Sequence, residues 1–155
     1  MARLYNVGGL AYWELQLRSD PKSEEWLFFT LRLMRSTDGS QVTAVGSPDM
    51  LYFFDFIVPE VPGLVRSMRD VAEGRTEAFV FEPADVSTLR IMGTRAPTST
   101  HVVFDVWCSD FELGIEGTCW PEGIEIGARI RTTSEAVLRF CDELFVEYRS
   151  VTRTN

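Results

Sequence analysis

The sequence predicts an α+β fold: an antiparallel β-sheet of about seven to nine strands with two helices, one mid-chain and one C-terminal. Three observations lead there. Most apolar residues fall in short stretches that either alternate with period two or run unbroken over a few positions. The connections between them are hairpin-length clusters of Gly, Pro, Asp and Ser, which suit antiparallel neighbours, because parallel ones need crossover helices. Two segments change instead to the 3.6-residue period of a helix. With 155 residues, the chain is expected to form one domain, 1–155, able to bury a self-sufficient core.

AYWELQLR (11–18) sets Ala11, Trp13, Leu15 and Leu17 against Tyr12, Glu14, Gln16 and Arg18, the pattern of a half-buried strand. WLFFTLRLMRS follows after SDPKSEE, so the two form a hairpin. STDGS (36–40) is a turn in which Asp38-Gly39 supplies the positive φ, and QVTAV is a short strand. MLYFFDFIV is an apolar, aromatic run that stops at Val58, because Pro59 disfavours helix at the residue before it. From Glu60 the period changes: Val61, Leu64, Val65, Met68 and Val71 or Ala72 share one helical face. Pro62 sits in the first turn, where a missing N–H costs nothing, and Gly74 stops the helix. The strands EAFVFE, DVSTLRIM, THVVFDVWCS, FELGIEGTCW and GIEIGARIRT come next, with TRAPTST read as a mobile loop. Thr132 and Glu135 read as a capping box for the last helix, whose apolar stripe is Val137, Cys141, Leu144, Phe145 and Tyr148. Gly8-Gly9 reads as a flexible turn, and the sequence shows no internal repeat.

Composition narrows the function. The formal net charge is −8, which argues against a nucleic-acid partner and suits a basic protein partner. The cysteines Cys108, Cys119 and Cys141 are odd in number and widely spaced, so they read as free thiols in a reducing compartment. MARLYNVGGLAYWEL carries no long apolar run and no stretch is long enough to span a membrane, so the expected location is the cytoplasm. Chemistry is hard to find. A catalytic triad needs a histidine base beside a nucleophile, and the one histidine, His101, starts a strand far from any such motif. Phosphate-binding glycine loops and paired metal ligands are missing as well. The expectation is a protein without catalytic residues, metal or cofactor.

One region stands out. Between Arg95 and Arg129 there is no Lys or Arg, while Asp105, Asp110, Glu112, Glu116, Glu122 and Glu125 all fall there. If the strands 101–109, 111–120 and 123–132 pair in sequence order, alternation collects Asp105, Glu112, Glu116 and Glu125 on one outer face with Trp107 and Trp120. The candidate partner-binding residues are therefore Asp105, Trp107, Asp110, Glu112, Glu116, Trp120, Glu122 and Glu125: aromatic anchors for binding energy, carboxylates to steer a basic partner. The competing reading is an ordinary solvated sheet face.

The early W-x-x-F-x-L strand (Trp26, Phe29, Leu31), the helix VPGLVRSMRDVAEG followed at once by EAFVF, and a GIEIGARIRT strand leading into TSEAVLRFCDEL form a pattern over most of residues 25 to 147. In this pattern the chain resembles the WapI-like immunity proteins and related uncharacterised bacterial domains found near polymorphic toxin genes. The resemblance implies a non-enzymatic inhibitor that binds and neutralises a cognate toxin, and it carries over no catalytic residue. Two other expectations remain open: a phage-type nucleic-acid mimic that blocks a nuclease or defence protein, and an enzyme or small-molecule binder with a cavity that sequence does not display.

Overall fold

Strand pairing starts at the second residue, earlier than periodicity indicates. The computed structural model describes residues 1–20, 23–45, 52–54, 59–83, 89–109 and 125–152. In order, these form β1 (Ala2–Tyr5), β2 (Ala11–Asp20), β3 (Ser23–Arg35), β4 (Gln41–Val45), β5 (Tyr52–Phe54), α1 (Glu60–Ala72), β6 (Ala78–Phe81), β7 (Leu89–Arg95), β8 (His101–Ser109), β9 (Glu125–Thr133) and α2 (Ser134–Thr152). The fold is α+β, with antiparallel pairing and two helices placed as expected. The strands do not form one sheet, however. They form two: β1-β2-β3-β4, with β5 also on β3, and β6-β7-β8-β9. An antiparallel meander followed by a helix therefore occurs twice, a repeat of architecture that the residues themselves do not display.

Each helix crosses to the other half. α1, which follows the first sheet, packs on β6 and β7; α2, which follows the second, packs on β1 and β2, and the two helices touch. The apolar faces meet in one core that includes Leu15 and Phe29 of the first sheet, Phe104 and Ile130 of the second, Leu64 of α1 and Leu144 of α2. Opposite that core, the first sheet carries a cross-strand row in which buried Glu14 accepts from Arg3 Nε at 3.0 Å and Arg32 Nη1 at 3.5 Å. Two guanidinium groups thus offset the cost of burying one carboxylate.

The two sheets join along a seam of edges. Val7 N donates to Arg131 O at 2.9 Å, and Thr132 Oγ1 donates to Tyr5 O at 2.6 Å. α2 completes the cover: Glu143 accepts from Arg3 N at 3.1 Å, and Glu147, one turn on, accepts from Leu17 N at 2.9 Å. These carboxylates act as a substitute strand, giving partners to edge N–H groups that would otherwise invite another chain.

Local signals hold in most places. In the 36–40 turn, Asp38 Oδ1 accepts from Ser40 N at 3.0 Å, and Gly39 has φ 68°. α1 ends in a Schellman arrangement: Arg75 N reaches Asp70 O at 2.8 Å and Gly74 N reaches Val71 O at 3.1 Å, with Gly74 at φ 75°. Three readings change. The N-cap of α2 is Thr133, whose Oγ1 accepts from Ala136 N at 3.2 Å; Thr132 is instead buried in the seam, so the cap moves on by one residue and, with Ala136 at the third helical position, the expected box with Glu135 does not form. Phe140, not Phe145, completes the buried stripe of α2, because Phe145 falls one step outside the arc facing the core. The TRAPTST loop is tied down: Ser99 N donates to Ala96 O at 2.9 Å and Arg95 Nε to Ser99 O at 2.7 Å. Of the expected strand 50–58, the described part is β5; FELGIEGTCW lies outside the described residues. No described helix is long and apolar enough to cross a membrane.

Cys141 is a free, buried thiol, its Sγ 3.8 Å from Val65 O. Burial pushes its pKa up to about 12 from 9.0, with Asp142 adding to the rise and Arg69 opposing it. Because the folded value lies above the unfolded one, the thiol's contribution to stability is intact below the unfolded value and is lost as pH rises toward the folded one. Denaturant unfolding between about pH 9 and 11 is expected to show a steeper loss of stability in the native chain than in Cys141→Ala. Equal slopes would mean that the thiol is not held in an apolar site.

Candidate partner-binding face

The second sheet has one face on the core and one in solvent, and β8 shows how the sequence sorts them. Val102, Phe104 and Val106 are buried in the core, and the alternate positions Val103, Asp105 and Trp107 lie on the other side. Register then assembles the outer face in rows. Arg90, Trp107 and Gly127 lie side by side across β7, β8 and β9; Val80, Met92, Asp105 and Arg129 form the next row; Thr94, Val103 and Arg131 form a third.

Trp107 is the largest apolar group on this face and is 37% exposed. Its neighbour on β9 is a glycine, so the adjacent strand position offers no side chain to cover the indole. Its neighbour on β7, Arg90, is turned to Glu82 by a bond of 2.5 Å from Nε to Oε1. Asp105 behaves differently from the expectation. Arg129 grips it with two bonds, Nε–Oδ1 at 2.5 Å and Nη2–Oδ2 at 3.0 Å, and it is 9% exposed. The pairing holds the Arg129 guanidinium above its usual pKa, chiefly through the hydrogen bond. Asp105 is thus half of a compensated ion pair and offers no free charge for steering, a correction to its reading as a steering acid.

The strand order is corrected as well. β8 and β9 are hydrogen-bonded directly to each other from His101↔Thr133 to Ser109↔Glu125, so no strand separates them. Glu125 lies opposite Ser109 at the end of this ladder. Asp110, Glu112, Glu116, Trp120 and Glu122 fall outside the described residues. The residues that sequence reasoning missed are basic. Arg90, Arg129 and Arg131 stand on this face with Glu82 and Asp105, so its described part is mixed in charge rather than acidic. Strand parity already placed Arg129 and Arg131 on the outer side; the register that sets Arg129 opposite Asp105 had no signal in the sequence.

A second concavity, a groove of about 720 Å³, opens between β1 and the first turns of α2 and is lined by Arg3, Tyr5, Asn6, Thr133, Arg139 and Glu143. Two of its charged groups are already engaged, Arg3 Nε on Glu14 and Glu143 on Arg3 N. His101 Nδ1 lies 3.5 Å from Arg131 Nη2, at the surface. Among the described residues, no three His, Cys, Asp or Glu side chains come together as a metal site.

No protein-family model and no curated protein matches the chain. Among solved structures, a crystal structure of Trypanosoma brucei MRP1/MRP2 is similar at 12% identity, covering 89% of this chain and 85% of that one, with a TM-score of 0.45. A likeness at that score is too slight to carry an argument about fold or function.

Proposed function

We propose that this chain is a non-enzymatic binding protein of the immunity type, which neutralises a bacterial toxin by docking it on the outer face of the second sheet. The observation that carries the reading is Trp107: an indole 37% exposed, with a glycine as its β9 neighbour, beside the ion pairs Arg90–Glu82 and Arg129–Asp105. Burying such a ring supplies a large share of binding energy, while paired arginines around it can hydrogen-bond a partner at the rim. The net charge of −8 speeds encounter with a basic partner. Asp110, Glu112, Glu116, Trp120, Glu122 and Glu125 belong to this reading as further partner-binding residues, acids for steering and a second indole as anchor. The toxin class comes from the resemblance to WapI-like immunity proteins. A nucleic-acid mimic is less well supported, since Arg90, Arg129 and Arg131 interrupt any run of negative charge on this face.

The test is calorimetric titration with the product of the neighbouring gene, the expected toxin on this reading, at low and high salt. Trp107→Ala is expected to weaken binding at least about tenfold and, because most of the ring is already covered in the free chain, to cost about 1 to 2 kcal/mol of folding stability while leaving the chain folded. Binding should persist at high salt, since an indole anchor is not screened. Unchanged affinity of Trp107→Ala would remove this face from the interface, and no binding by the native chain would remove the immunity reading.

A further inference from the structure

Among the described residues, the same sheet has an edge left open. At its other edge, β9 is joined to the first sheet by the seam. No described residue gives β6 such cover. Arg95 N donates to Glu77 O at 2.8 Å, which sets the parity of the ladder: Glu77, Phe79 and Phe81 turn their backbone groups toward β7. Ala78, Val80 and Glu82 turn theirs away. Ala78 O is taken by Thr76 Oγ1 at 3.0 Å, and among the described residues Val80 N and O have no partner. The usual protections are absent from the strand itself. AFVF carries no Lys, no Pro and no bulge, and Val80 is 62% exposed.

Resting on the docking reading above, we propose that β6 is where the partner is gripped: an extended segment of the toxin adds to this edge as a further strand. Its backbone would pair with the outward groups of Val80 and Glu82 and with Ala78 N, main-chain bonds supplying affinity and alternate side chains supplying selectivity. Continuity of the face favours this. Glu82, just past β6, accepts from Arg90, which falls in one row with Trp107 and Gly127, and Trp107 stands two strands in from the edge, about 10 Å away at the usual strand spacing. One segment could therefore pair with the edge while its neighbouring side chains cover the indole. Charge favours a basic foreign segment over a second copy of this chain. Glu77 and Glu82 bracket the strand, so two copies meeting edge to edge would gather four carboxylates on chains of net charge −8 each. Lys or Arg beside Glu77 would find an exposed carboxylate.

Val80→Pro isolates the claim, since proline removes an N–H that serves no bond within the chain and is tolerated on an edge strand at such a position. With the product of the neighbouring gene as probe, Val80→Pro is expected to weaken binding at least about tenfold, while Val80→Thr, which keeps the N–H, stays within about threefold of native. In the native complex, exchange of the Val80 amide should slow, a readout that does not depend on any variant folding. Native affinity in Val80→Pro, or an unprotected Val80 amide in a complex that Trp107→Ala weakens, would overturn the edge and leave the Trp107 face standing. A native chain that sediments as a dimer, with the dimer lost in Val80→Pro, would overturn the foreign segment in favour of a second copy. Failure of the native chain to bind would overturn both readings together.

Discussion

Gly93→Ala is expected to destabilise the chain by about 2 to 3 kcal/mol, the upper range for an overpacked interior, although it adds a single methyl group. Gly93 lies inside β7 with its Cα opposite Phe79 on one side and Phe104 on the other. A Cβ there would come within 2.3 Å of Phe79 Cε1 and 2.9 Å of Phe104 Cε1. The two rings meet edge to face over the glycine, their centroids 6.1 Å apart. Phe104 is fully buried and has nowhere to move. Phe79, on the open edge strand and partly exposed, is the ring that must swing out, losing its packing on the core. The measurement is a denaturant midpoint at constant m-value, with Gly93→Ala/Phe79→Leu as the partner variant. Partial recovery in the double variant is expected, because the smaller side chain vacates the collision. A midpoint equal to the native one would show that Phe79 does not cover this position.

Arg95→Ala should cost about 2 kcal/mol, within the range for charge-assisted hydrogen bonds left without a donor. Arg95 ends β7, yet its guanidinium serves the C-terminus of α1: Nη1 donates to Ala72 O and, at 3.4 Å, to Val71 O, while Nε holds Ser99 O. The last carbonyls of a helix lack intrahelical donors and carry partial negative charge, so one side chain satisfies both needs. Lysine is not an adequate replacement, since a point donor cannot bridge the helix end and the 96–100 turn together. Arg95→Lys is therefore expected to recover less than half of the loss in thermal unfolding. Full recovery would reduce the role of Arg95 to its charge. Gly74 shares the arrangement: an added Cβ would lie 3.2 Å from Arg95 Nη1, so the stop signal of α1 is also the space in which the guanidinium sits.

Legibility in the sequence followed the range of the interaction. α1 was legible because each of its signals is local: Pro59, Pro62, the Val61-Leu64-Val65-Met68 face and Gly74 all act within a turn or two. The sorting of β8 into core and solvent positions was legible for the same reason, since alternation needs no partner. β1 was missed because ARLY is too short to show a period, and it is fixed by pairing with β2 and by Glu143 of α2, 140 positions away. The division into two sheets depends on β1 meeting β9, a contact with no local signature. Of the acids expected on the outer face, Asp105 was misjudged in the same manner. Counting acids between Arg95 and Arg129 located charge along the chain, whereas register decides which charges survive, and it set Asp105 against Arg129.

The exchange of helices between the halves has a bearing on how the chain is made. Each meander packs mainly on the helix of the other half, so a ribosome that has released only the first half presents a sheet without most of its lid. The lid is α2, the last described element, and its Glu143 and Glu147 reach back 140 and 130 positions to dress the first strands. Contacts of such long sequence separation form late, because a long loop must close before they are rewarded. The nascent protein thus acquires its native topology only after α2 has left the ribosome, and until then β1 and β2 are the strands most in need of shelter.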